Sequence, residues 1–195
     1  MADHIKNHCT QDADNWELVW IGFLPGKRES RRYVGEYIVT QNHVESGGYT
    51  EDIVGYAGWS MDDHFPEGFY YRKGHPTIYH EAPSPWGIPF RSLYSKSIKN
   101  LMFAGRNISA THAALSSSRV MATCAVLGQA IGAAAAQMVN DNTVIKDLNH
   151  KLQQTLLFDD CYIPWVKREV SDITKKAITN CEIIRKGEDR GESKG

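Results

Sequence analysis

No two of the sixteen glycines stand two positions apart, so the motif G-x-G occurs nowhere in the chain. That excludes the glycine-rich turn by which a βαβ unit seats a dinucleotide pyrophosphate. Cysteine is scarce and scattered: Cys9, Cys124, Cys161 and Cys181, with no C-x-x-C among them. Neither a zinc knuckle nor an iron–sulfur run can be drawn, and the scatter suits a reducing compartment. His4, His8 and Cys9 have near-ligand spacing, but they lie in a polar segment expected to fray, and no metal is assigned there. An excess of one charge is lacking too. With 22 basic and 23 acidic residues the net charge is −1, which gives no argument for nucleic acid or an acidic membrane surface. The opening MADHIKNHCTQDADN has no apolar core, so it is not a signal peptide and a cytoplasmic location is expected.

Long uncharged runs are absent but for one. VMATCAVLGQAIGAAAAQMV (120–139) carries no formal charge and contains Gly128-x-x-x-Gly132. Its length admits a membrane span. Alanine rather than leucine dominates it, Gln129 and Gln137 interrupt it, and neither flank carries an aromatic belt or a lysine cluster. The expectation is a helix buried on most sides within a soluble domain. Ala122, Ala125, Gly128 and Gly132 would let a sheet or a ligand approach its backbone, or simply allow tight packing.

What is present is an ordinary folded composition: 195 residues, 42% hydrophobic and 10% aromatic. Residues 1–97 form a β-rich segment. Within it RRYVGEYIVTQ (31–41), EDIVGYAGWS (51–60) and PTIYHE (76–81) read as strands. Residues 98–142 read as a strand at Leu101–Ala104, a polar loop and the long helix. Residues 143–184 read as helical, with one helix in VIKDLNHKLQQTLL (144–157) and a weaker one after Pro164. The charged tail 185–195 is expected to be disordered.

The start of the long helix breaks a local rule. Ser116, Ser117 and Ser118 offer N-caps, yet Arg119 follows in or beside the first turn. A cation there is unfavourable by roughly 0.3–1 kcal/mol. Either an anionic or electron-rich ligand compensates, or the arginine reaches solvent or a remote carboxylate. Upstream, a strand, then Gly105-Arg106, then a polar loop is how α/β proteins present backbone amides to ligands.

NLMFAGRNISATHAALSSSRVMATCAVLGQAIGAAAA (100–136) resembles the C-terminal flavin-binding segment of FAD-dependent oxidoreductases, in the group classed with heterodisulfide reductase A subunit-like flavoproteins. The resemblance extends to PGKRESRRYVGEYIVTQNHV (25–44), DIVGYAGWSMDDH (52–64), WGIPFRSLYS (86–95) and LQQTLLFDDCYIPW (152–165). It implies an α/β fold: the C-terminal part of a two-dinucleotide-fold, Rossmann-like FAD domain joined to a β-rich substrate segment. By the resemblance, Gly105 and Arg106 pass the FAD ribityl and pyrophosphate. The amides of Arg119, Val120 and Met121 face the flavin pyrimidine edge, where negative charge grows on reduction. A helix N-terminus and a guanidinium both favour that charge. The activity implied is redox of a small polar substrate through FAD.

The N-terminal G-x-G-x-x-G unit of such proteins has no counterpart in this sequence. The expectation is therefore a C-terminal fragment, inactive alone, that needs an N-terminal Rossmann segment or a partner chain. The alternative is an inactive remnant or interaction module that no longer binds FAD. Arg28, Arg31 and Arg32 place three guanidinium groups in five residues on the substrate side. Arg32 is the candidate for a substrate carboxylate or hydroxyl, against an ion-pair network with Glu29 and Glu36. His112 and His64, with His43 behind them, are candidate acid–base groups, each also readable as a structural histidine.

Overall fold

The computed structural model describes residues 2–8, 13–24 and 29–191. It comprises two compact units, Met1–Ser30 and Arg31–Gly195. The first carries helix α1 (Ala2–Asn7), with Lys6 Nζ donating to the Ala13 carbonyl at 2.8 Å. Its residues 16–24 belong to no helix or strand, and Trp16, Val19, Trp20 and Phe23 among them are exposed. Cys9 and Arg28 lie outside the described residues.

The second unit is a mixture of helices and small sheets, consistent with an α/β class. Its elements are α2 (Gln41–Glu45), β1 (Ile53–Ala57), β2 (Met61–His64), β3 (Thr77–His80), β4 (Trp86–Pro89), α3 (His112–Ser118), α4 (Met121–Asp141), α5 (Asn149–Phe158) and α6 (Asp172–Gly191). Strand β1 pairs antiparallel with β4, and β2 with β3, in two separate two-stranded sheets. The strands expected within 51–60 and 76–81 are therefore present as β1 and β3.

The β1–β4 pair is the centre of the core. Both strands are apolar at successive positions, the pattern of a sheet covered on both faces. Close approach explains two of the glycines. A Cβ on Gly87 would stand 2.5 Å from Ile53 Cδ1 and 2.8 Å from the Gly48 carbonyl oxygen. A Cβ on Gly55 would stand 2.9 Å from Val126 Cγ1, so this glycine lets α4 lie against β1. Helix α5 is tied to the same strand by Gln153, whose amide donates to the carbonyls of Glu51 (2.8 Å) and Ile53 (2.9 Å). Gln137 of α4 donates in turn to Thr155 Oγ1 of α5. One hydrophobic cluster runs from Val39 through Trp86, Phe90 and Leu127 to Ile163.

Several expectations need correction. Segment 31–41 is not a continuous strand. It is extended chain with single bridges, Gly35 to Ser95 and Val39 to Ala110, before α2 begins at Gln41. Its alternating side chains satisfy the strand pattern, but no neighbouring strand runs alongside for long enough. Leu101–Ala104 likewise forms one bridge, Met102 to Tyr94, and the run of 93–95 beside it is antiparallel. The serines 116–118 are not caps but the buried last turn of α3, and Val120 stands at the N-cap of α4. Helix α6 continues through Gly191, across most of the tail expected to be disordered. Ser171 Oγ accepts from the Thr174 amide at its start, and Lys175 pairs with Asp172 in its first turn.

Helix α4 is also not buried on most sides. Thr123, Leu127, Ala130, Ala134 and Gln137 face the core. Met121, Ala122, Ala125, Gly128, Gly132 and Ala136 form an exposed stripe on the other side. A Cβ on Gly128 or Gly132 would meet nothing within 4 Å. The small residue that admits helix–sheet contact belongs to the strand, at Gly55, rather than to the helix. By length and composition α4 is apolar enough to cross a membrane, with 28% of its most apolar window buried within the chain.

Candidate functional site

The chain leaves Phe103 and turns at Gly105, whose φ of +95° an L side chain rarely adopts. A Cβ there would meet only Asn107 Oδ1, at 3.7 Å, so the turn itself, and not crowding, calls for glycine. The loop is held from both sides: the Tyr33 amide donates to the Asn107 carbonyl (3.0 Å), and the Val39 amide to the Ser109 carbonyl (2.9 Å). Tyr33 also stacks on Phe103, with ring centroids 4.7 Å apart. These contacts bring Arg32, next to Tyr33, alongside the loop that carries Gly105 and Arg106. Arg106 lies close enough to α4 for its charge to act on Cys124. Burial pushes that thiol up and Arg106 only partly offsets it, so Cys124 stays protonated at neutral pH.

Beyond the loop, α3 and α4 meet at a one-residue break. The Arg119 amide still donates to the Leu115 carbonyl (3.0 Å), closing α3. Arg119 therefore does not offer a free amide, contrary to the expectation for it. Val120 is extended, and no side chain caps α4. The first amides of α4, from Met121 onward, have no acceptor within the helix.

The Arg119 guanidinium points to β2. It donates to the Asp62 carbonyl at 2.7 Å and lies 3.5 Å from Asp62 Oδ2. The cation that sits badly at a helix start thus has a carboxylate of its own chain beside it, the second of the two readings of the sequence. Asp62 also lies 3.3 Å from His64 Nε2, while Thr77 Oγ1 of β3 lies 3.0 Å from His64 Nδ1. Asp63, next along β2, accepts from His112 Nε2 at 2.6 Å. A carboxylate can only accept, so His112 Nε2 is the donor in this bond. Two buried oxygens here, Asp62 Oδ1 and Thr111 Oγ1, have no hydrogen-bond partner among the described residues. Among the described residues no group of three or more His, Cys, Asp and Glu is placed to hold a metal ion.

The predicted residues therefore fall into two groups. Gly105 and Arg106 lie on the loop with Arg32 in the segment beside it, and at β2 Arg119 and His64 meet Asp62 while His112 meets Asp63. Val120 and Met121 lie at that break. His43 belongs to neither. It is buried, its Nε2 donates to the Gly87 carbonyl (2.8 Å), its Nδ1 lies 3.0 Å from the Tyr37 hydroxyl, and its ring meets Trp86 edge-on. Sequence reasoning missed Asp62 and Asp63. The signal was the string Asp62-Asp63-His64, two carboxylates and an imidazole on consecutive strand positions, which send alternate side chains to opposite faces.

A family model described as FAD dependent oxidoreductase matches residues 1–157. No curated protein and no solved structure matches the chain. The match spans most of the sequence, including β2, the Gly105 loop and the whole of α4. The chain belongs to the FAD dependent oxidoreductase family, and its cofactor is FAD.

Proposed function

We propose that this chain holds the flavin end of FAD and carries the proton-handling groups of an oxidoreductase acting on a small polar substrate. One observation carries the reading: the open, positive-φ turn at Gly105 places Arg106 close enough to act on Cys124 in the first turn of α4, whose N-terminus has no side-chain cap. These residues fit the cofactor. Gly105 leaves the backbone bare where a ribityl chain or pyrophosphate would run, and Arg106 is exposed beside it. The amides at Val120 and Met121 are oriented for partial negative charge. When bound, FAD supplies hydride or electron transfer.

The chain's own residues do the rest. Arg119, pinned by Asp62, adds positive charge at the helix start without needing to move. Asp63 aims His112, which exchanges a proton with the substrate. Arg32 orients an oxygen of the substrate, and His64 pairs with Asp62 beside Arg119. Within the family we read the chain as one of the heterodisulfide reductase A subunit-like flavoproteins, acting in the cytoplasm.

The ADP half of FAD needs a glycine-rich cradle, which this sequence does not contain. We propose that a Rossmann segment from elsewhere supplies it and covers the exposed stripe of α4. That exposure also favours the second reading, an interaction module that no longer binds FAD. Size-exclusion chromatography with absorbance in the flavin band separates the two. The first reading expects the 195-residue chain to run colourless and associated when alone, and yellow when co-expressed with a G-x-G-x-x-G segment. A co-purifying but colourless pair supports the second, and a yellow monomer overturns the need for a partner.

A further inference from the structure

A cavity of about 430 Å³ opens at the far end of α4 from the proposed flavin site. Met138 lines it, seventeen residues beyond Met121 and so roughly 26 Å along the helix. The volume lies in the range of small-molecule sites. Its floor is apolar, made by Met138, Val144 and Ile145. Its rim is cationic, with Lys96, Lys99 and Lys146 against a single carboxylate, Glu36. That carboxylate is already engaged by Lys146 Nζ at 2.6 Å. Among the described residues no carboxylate stands within ion-pair distance of Lys96 or Lys99.

The wall that carries these lysines is built rather than loose. Ser95 Oγ accepts from the amides of Ser97 (3.3 Å) and Ile98 (3.1 Å). The Ser95 and Lys96 amides donate to the carbonyls of Leu101 (2.9 Å) and Val34 (3.1 Å). Tyr94 also lines the cavity, and burial pushes its phenol up, so the hydroxyl stays a neutral donor.

We infer that this cavity binds a small amphipathic carboxylate, with its tail on the Met138–Val144–Ile145 floor and its head at Lys96 and Lys99. An apolar tail gains by leaving water, at about 25 cal/mol per Å² buried. A carboxylate held at a wet, cationic rim keeps most of its hydration, so it is spared the cost of full burial. A bare inorganic anion would leave the floor uncovered, and a cationic amphiphile would meet like charge.

The test is a titration of the full chain carrying ¹³C-methyl methionine, with octanoate, octylamine and inorganic phosphate as probes. Saturable movement of the Met138 methyl signal by octanoate is expected, with the Met138→Leu spectrum assigning the signal. Octylamine and phosphate should leave it in place, and so should octanoate at the exposed Met121. Lys96→Glu and Lys99→Glu should each weaken octanoate roughly tenfold, the scale of reversing one nearby charge. Equal movement of Met138 and Met121 would mean general adsorption to apolar surface and overturn the proposal. So would an equal response to octylamine or phosphate, or full affinity in both lysine variants. The readout requires no flavin, so it stands or falls apart from the oxidoreductase reading.

Discussion

The two sheets among the described residues are both antiparallel pairs and have opposite characters. In β1–β4, eight of nine residues are buried, and the side chains are aliphatic, aromatic or absent. In β2–β3 only Met61 and Thr77 are buried, and the outer positions carry Asp62, Asp63, His64, Tyr79 and His80. The first sheet is held by α4 and α5, which cover it. The second is held by polar contacts to α3 and Arg119. Stability is concentrated in one sheet and ionisable chemistry in the other, so substitutions should separate the two.

The largest effect is expected at Trp86, which is fully buried and donates from Nε1 to Ser117 Oγ at 3.1 Å. Trp86→Ala should cost about 3–5 kcal/mol in urea unfolding followed by circular dichroism. Tyr79→Ala, on the exposed sheet, should stay within about 0.5 kcal/mol. Equal costs would remove the contrast between the sheets.

Asp52 joins the first sheet to its surroundings. It is 3% exposed, and its carboxylate takes both Arg91 Nε (3.0 Å) and Nη2 (3.1 Å). Burial alone would push the carboxyl up, but the hydrogen bonds and charge of Arg91 outweigh it and hold it below its ordinary value. A lowered carboxylate stabilises the fold above its unfolded value, near 3.8, and that contribution is lost as pH falls through the lower folded value. Asp52→Asn should lower stability at neutral pH and flatten the acid limb of the pH–stability curve. An unchanged acid limb would place the acid sensitivity elsewhere.

Much of the core could be read from the sequence, and the site only in part. Strands β1 and β3 and helix α4 announce themselves by residue type and by turn residues at their ends. Segment 31–41 has the same composition but no continuous partner, because strand pairing is a tertiary fact that alternation alone does not contain. Arg119 was visible as an anomaly, while its partner Asp62 lies 57 residues upstream. His112 was visible as a loop histidine, while Asp63 reaches it only because α3 lies on β2. The exposed stripe on α4 was read as buried because small residues look alike whether they admit a neighbour or await one.

That stripe gives a smaller test of opposite signs. Gly128 is exposed with open space around it. Gly128→Ala should stabilise the chain alone by up to about 1 kcal/mol, since glycine is a poor helix former. If the stripe docks a Rossmann segment, the same change should reduce the amount of that segment co-purified. Gain in both would argue against docking at this position.

A small stability effect is also expected at Asp63, whose pair with His112 is half exposed on both sides. Asp63→Asn should change unfolding by less than about 1 kcal/mol, the ordinary scale of an exposed pair. In a flavin-loaded complex it should shift the pH profile of flavin reduction, as a group that only braces the fold would not. An unmoved profile would reduce Asp63 to a surface contact.

The central claim, that the Gly105 turn and the start of α4 hold the flavin end of FAD, is tested most directly by flavin stoichiometry in the co-expressed complex. The comparison is between the wild-type chain and Gly105→Val, with far-ultraviolet circular dichroism confirming the fold. The account predicts a yellow wild-type complex and a folded Gly105→Val complex that has lost its flavin. Flavin retained at wild-type stoichiometry by Gly105→Val would contradict it.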